Sequence, residues 1–139
     1  MSLLVIGKSE VRKLLSMEAC IDTMTQAFKL LGKGEVVMPR RFIVWLPENY
    51  GALGLMPAYC GEPSILGVKV ITAFPGNTNT EYPTHQGIVV LFGARHGEPI
   101  AIIDASEITA IRTAAVSGVA TGLLANPDAG DLLILGSGV

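Results

Sequence analysis

The spacing of apolar positions changes several times along this chain, and each change marks an element. "LLVI" at 3–6 is a short continuous apolar run and predicts a strand. Ser9, just behind it, is placed to cap a short turn of helix. Met17, Cys20, Ile21, Met24, Ala27, Phe28 and Leu31 then recur at intervals of three and four, which puts them on one face of a helix. Ser16 stands ahead of that run as an N-cap, and Glu18 suits the positive end of the helix dipole. Gly32 ends the pattern as a C-terminal cap does.

From residue 41 the pattern is strand-like. "RFIVWL" (41–46), "ALGLMPAY" (52–59), "ILGVKVIT" (65–72), "GIVVLFGA" (87–94) and "IAIID" (100–104) are apolar runs parted by turn residues. Pro47 and an Asn49–Tyr50–Gly51 turn separate the first two, and "RHGEP" (95–99) closes the last two into a hairpin. Between Ala73 and Gln86 lies "AFPGNTNTEYPTHQ", a polar loop of a length that in compact domains is functional or disordered.

"DASEITAIRTAAVSGVATGLLANP" follows and predicts a helix. Asp104 with Glu107 makes a capping-box-like start, and Asn126–Pro127 makes a stop. Its interior is small, and Gly118 and Gly122 each cost about 1 kcal/mol against alanine, which implies a packing or binding reason for them. "DLLIL" (131–135) reads as a buried strand, and the "GSG" after it as the first half of a dinucleotide-binding turn. Helix, several strands, helix, strand is the order of an α+β domain that begins an α/β unit at its end.

Composition sharpens this picture. Half of the 139 residues are apolar and only 16% are charged, with a mean hydropathy of +0.49. That is greasy for a small soluble domain, whose large relative surface demands polar cover. A membrane span needs about 20 apolar residues in a row. The stretch from Thr113 to Pro127 is shorter and is broken by Ser117, Gly118, Gly122 and Asn126. No basic region precedes the apolar N-terminal run, so no signal peptide is expected and the cytoplasm is the expected location. A surface buried against another subunit or domain explains the composition better.

A net charge of −2 offers no nucleic-acid surface. Cys20 and Cys60 lack CxxC spacing, which predicts a reduced pair and no metal site. No Ser/His/Asp spacing, HExxH or Walker sequence supports a hydrolase or an NTPase.

The cations carry more information. After Phe42 the only ones are Lys69, Arg95 and Arg112. Arg95 falls in a turn, but Lys69 is flanked by valines in "LGVKVIT" and Arg112 sits mid-helix in "TAIRTAAV". A cation so placed is expensive unless it is paired or faces a polar cavity. Two readings stand: an internal carboxylate partner for each, or a shared anionic ligand. Arginine offers a planar fork for carboxylate or phosphate, while a desolvated lysine can exchange protons. Arg40 and Arg41 precede a strand, and strand alternation allows at most one of them to face inward. His85, beside Thr84 and Gln86, is an acid/base candidate or a structural hydrogen-bonding residue. His96 lies in the "RHGEP" turn, on the surface.

"LGLMPAY" (53–59), "GVKVIT" (67–72), "THQG" (84–87), "ITAIRTAAVSGVAT" (108–121) and "LLILGSGV" (132–139) together resemble the ornithine cyclodeaminase/mu-crystallin family, in order and spacing over nearly the whole chain. The resemblance implies a two-domain NAD- or NADP-dependent enzyme acting on small amino or imino acids. Residues 1–127 would form the substrate-binding and dimerisation domain, a largely antiparallel mixed sheet with flanking helices that joins sheets across a homodimer and awaits a C-terminal return segment. Residues 128–139 would be the first strand and Gly-rich turn of a truncated Rossmann domain.

By the same resemblance Arg41, Lys69 and Arg112 hold the substrate carboxylate, with Lys69 also catalytic, polarising a C=N group or donating a proton. Thr84, Arg112 and Thr113 touch the cofactor, and Gly136 and Gly138 open its pyrophosphate turn. The implied parent is an NAD(P)H-dependent ketimine or pyrroline-carboxylate reductase. The alternatives are an ornithine cyclodeaminase, converting ornithine to proline and ammonia, or a catalytically silent dimerising module. The 139 residues alone are expected to be inactive and to bind no dinucleotide tightly, because a third small residue and a helix complete that turn. No nucleic acid and no membrane are expected as partners.

Overall fold

The computed structural model describes residues 2–136. Its centre is a seven-stranded sheet. β1 (Leu4–Ile6), β2 (Val36–Val37), β3 (Phe42–Trp45), β4 (Ala52–Cys60), β5 (Ile65–Ala73), β6 (His85–Gly93) and β7 (Pro99–Asp104) lie in the order β1-β7-β6-β5-β4-β2, with β3 also paired to β4. Only β1 runs parallel to its neighbour; the other pairings are antiparallel. Three helices complete it: α1 (Lys8–Leu14), α2 (Met17–Gly32) and α3 (Ala105–Leu124). The α+β class and the largely antiparallel sheet therefore agree with the sequence reading. No helix among the described residues is long and apolar enough to cross a membrane.

The register fixes which side chains share a face. Lys69 pairs with Met56 on one side and Val89 on the other, and Val89 with Ile103. These residues face α3, which lies over β5 and β6, while α1 and α2 pack on α3. Ala101, Ala105 and Ala115 are almost fully covered there, so the small residues of α3 let the helix approach the sheet closely. Gly118 serves the same purpose toward α2: a β-carbon on it would stand 2.9 Å from Ile21 Cδ1. Gly122 has nothing within 4 Å of such a carbon, and nothing among the described residues explains it.

The opposite face is apolar and open. By register Phe42, Leu55, Val70 and Ile88 form one row across it, and Phe42 keeps 64% and Ile88 41% of its surface exposed. No helix lies on that face among the described residues.

Several local expectations are corrected. Gly7, not Ser9, precedes α1, and its N–H donates to Glu10 Oε2 at 2.7 Å. Ser16 does cap α2, accepting from the Ala19 N–H. Gly32, however, is still helical, and the left-handed turn comes two residues later at Gly34, φ 76°. Residues 38–41 are irregular and β3 begins at Phe42, so strand alternation does not govern Arg40 and Arg41. The β3–β4 turn falls one step early, on Glu48 and Asn49, both left-handed. The long loop shrinks to residues 74–84 because β5 and β6 extend into it. "DLLIL" (131–135) is not a strand: Leu132, Leu133, Ile134 and Leu135 are exposed and have no β partner among the described residues. An apolar run forms a strand only where a neighbour takes its hydrogen bonds.

The capping box at Asp104 is half formed. The Glu107 N–H donates to Asp104 Oδ1 at 2.9 Å, but the Glu107 side chain does not turn back. It accepts two bonds from Arg12, from Nε and Nη2, each 2.8 Å, and lies 3.5 Å from Lys8 Nζ. This bidentate pair fastens α1 to the start of α3. The Arg12 hydrogen bond, with help from Lys8, holds the Glu107 carboxyl below the usual glutamate range. A depressed folded-state value gives stability that is present above the unfolded value, about 4.3, and is lost as pH falls through the folded one. The stability gap between wild type and Glu107→Gln is therefore expected to stay constant from pH 8 to about 5 and to close below about pH 4. Urea unfolding across that range measures it, and a gap undiminished in strong acid would refute the linkage.

Candidate functional site

β5 carries Lys69 at its middle, in the most fully paired part of the sheet. Its side chain points to the α3 face, where Nζ donates to Thr109 Oγ1 at 3.4 Å. Arg112 lies three residues further along α3, on the same side of the helix as Thr109. Arg40 and Arg41 arrive from the irregular segment before β3. All four cations line one cavity of about 700 Å³, walled on its apolar side by Met38, Met56 and Ala58.

No acidic residue lines this cavity, and no carboxylate lies within salt-bridge distance of these four cations among the described residues. Of the two readings of Lys69 and Arg112, no internal carboxylate partner is found among the described residues, and the two cations instead share one cavity. Burial in the sheet, then the charges of Arg112 and Arg41, push the Lys69 ammonium below the usual lysine range. An amine so placed can bind an anion while charged and release a proton more readily than a surface lysine.

Arg41, Lys69 and Arg112 are thus brought together. Thr84, Thr113 and Gly136 do not line the cavity. Thr84 Oγ1 lies 3.2 Å from His85 Nδ1 at the loop end, and the Thr113 hydroxyl donates to the Thr109 carbonyl at 2.6 Å. Gly136 has the left-handed φ, 85°, that a Gly-rich turn requires; Gly138 lies outside the described residues. His85 and His96 are exposed and line no part of the cavity. No group of three or more His, Cys, Asp or Glu among the described residues could hold a metal ion.

Sequence reasoning missed Arg40 and Thr109. Arg40 was hidden by the assumption that residues 40–41 belong to a strand. Thr109 could have been found, since it stands one turn from Arg112 on the face that meets Lys69.

The chain is thus an α+β unit with a cation-lined cavity between sheet and helix and an open apolar sheet face behind it. Residues 2–139 match the model of the ornithine cyclodeaminase/mu-crystallin family. The chain belongs to that family. It is 44% identical over 106 residues to ketimine reductase mu-crystallin of Mus musculus, which covers 76% of this chain and 34% of that protein. The fold superposes with a TM-score of 0.84 on Thermococcus litoralis Δ(1)-pyrroline-2-carboxylate reductase in complex with NADH and L-proline, at 35% identity over 90% of this chain and 39% of that one. An archaeal alanine dehydrogenase dimer with bound NAD gives 0.85 at 30% identity, over 92% and 39%. The chain thus spans between a third and two fifths of the length of these relatives.

Proposed function

We propose that the chain is the substrate-binding part of an NAD(P)H-dependent imine reductase acting on small cyclic or open-chain imino acids. The observation that carries this is the cluster of Arg41, Lys69 and Arg112 in one cavity without a carboxylate. Arginine forks bind a substrate carboxylate, and the apolar wall of Met38 and Met56 takes its aliphatic body. Lys69, depressed by burial and by its cationic neighbours, gives a proton from Nζ to the imine nitrogen.

The nicotinamide, when bound, supplies the hydride. The cation cluster fits the substrate side of such a site, and Gly136 has the left-handed φ that a Gly-rich pyrophosphate turn uses. We assign the cofactor contacts to Thr84, Arg112, Thr113, Gly136 and Gly138, with residues 1–127 as the substrate and dimer domain and 128–139 as the start of a Rossmann domain. The open sheet face carrying Phe42, Val70 and Ile88 supports a homodimer that buries it.

The intact protein that carries this chain is expected to oxidise NADH or NADPH with Δ(1)-pyrroline-2-carboxylate, and L-proline is expected to protect Lys69 from acetylation. Ammonia release from ornithine without an added reductant would replace this reading with the cyclodeaminase one.

A further inference from the structure

We propose that Thr109 is a positioning residue for Lys69: its hydroxyl aims the amine at the cation cavity and keeps a partner for it in both protonation states. The proposal rests on Lys69 as the proton donor of the site.

Lys69 is a flexible four-carbon stem ending in three donors, and the Thr109 hydroxyl is its hydrogen-bond partner among the described residues. Its cross-strand neighbours, Met56 and Val89, offer no polar atom for a strong bond. The charged groups around the cavity are Arg112 from α3 and Arg40 and Arg41 from the segment before β3, all of one sign. None of them can accept a proton or a hydrogen bond. Without Thr109 the amine would have no side-chain acceptor among the described residues, only solvent, and every charge lining the cavity would be against it.

The residue type matters. Threonine is β-branched, which in a helix restricts χ1 to two rotamers, and the one that Thr109 adopts carries its hydroxyl to Lys69. The Thr109 backbone is pinned in turn, since its carbonyl accepts the Thr113 hydroxyl at 2.6 Å. A hydroxyl both accepts and donates. It accepts from the ammonium, and once Nζ has given up its proton it can donate to the neutral amine. A carboxylate at 109 would hold the charged form and oppose proton release; a valine would leave the amine unpartnered. The separation of 3.4 Å is longer than the usual range for such a bond, so the contact is a weak one.

Trace acetylation of each lysine across pH, read by mass spectrometry, tests this in the intact protein that carries this chain. Lys8, Lys13, Lys29 and Lys33 serve as references in the same sample. In Thr109→Val the ammonium loses its acceptor, so the Lys69 titration is expected to move to lower pH. Its labelling at a fixed pH below the midpoint should rise about two- to threefold, and Thr109→Ser should restore the wild-type curve. A Lys69 curve unmoved in Thr109→Val, or unrestored in Thr109→Ser, overturns the proposal. Should the valine variant not fold, Thr109→Ser against Thr109→Ala makes the same comparison. Protection of Lys69 by L-proline is scored separately. Its absence beside a shifted curve would sink the carboxylate-binding reading and leave the positioning intact, and the reverse would sink the positioning alone.

Discussion

Lys69→Met, made in the intact protein, is expected to lower kcat/KM toward a cyclic imino acid by on the order of 10³ or more, because both the proposed substrate contact and the proposed proton donor go. Lys69→Arg divides the two. Arginine restores the positive charge but does not release a proton at working pH, so KM should return most of the way while kcat stays low. Steady-state kinetics followed by NADH absorbance measure both. The pH dependence carries a second signature. Burial and the charges of Arg112 and Arg41 put the Lys69 titration below the ordinary lysine range, so activity should fall on the alkaline side earlier than an unperturbed lysine would give, as the proton to be donated is lost. A Lys69→Arg variant with wild-type kcat would remove Lys69 from the proton-transfer step.

The largest expected effect on stability lies away from the cavity. Gly87→Ala is expected to cost about 3 kcal/mol or more. A β-carbon at 87 collides with the Val70 carbonyl oxygen and stands 2.8 Å from Ile71 Cα. These are backbone atoms of β5, held by the ladder to β6 and unable to swing aside as a side chain would. Gly122→Ala is the matched control, because nothing lies within 4 Å of its β-carbon and alanine favours the helix by about 1 kcal/mol. One substitution of the same chemistry should weaken the fold and the other strengthen it. Urea unfolding of the two variants decides this, and a Gly87→Ala protein as stable as wild type would mean that the sheet can open at this pair.

Much of this was legible in the sequence, for reasons that differ by residue. The central strands announced themselves because each apolar run is bounded by turn residues, and Ser16 and Asp104 by their capping chemistry. Lys69 and Arg112 stood out because a cation among valines or mid-helix alanines must face something polar. Arg41 was indistinguishable from Arg40 on the residues alone; only the family resemblance selected it, and the cavity admits both. Thr109 shares a helix face with Arg112, which the spacing gives, but that this face meets Lys69 depends on which strand the helix crosses, which hydrophobic spacing does not give. "DLLIL" has no strand partner among the described residues, and a strand-like composition does not say where a pairing partner lies. Gly87 closes "THQG", and the sequence marked the motif as characteristic without saying why. The register now supplies a reason, the close approach of two backbones.

β1 joins the sheet through β7, with Leu4 opposite Ala101 and Ile6 opposite Ile103, and Arg12 reaches across 95 positions to Glu107. On a ribosome β1 is therefore made well before the strand that it pairs with. "LLVI" leaves the exit tunnel about a hundred residues ahead of β7, its strand partner among the described residues, at a few to about twenty residues per second. β4, β5 and β6 can meanwhile pair through short connections, which form quickly. The N-terminal strand and α1 thus act as a late clasp on a sheet already assembled. A lesion at Arg12 or Glu107 should slow that closing step and prolong the exposure of an apolar N-terminus during synthesis.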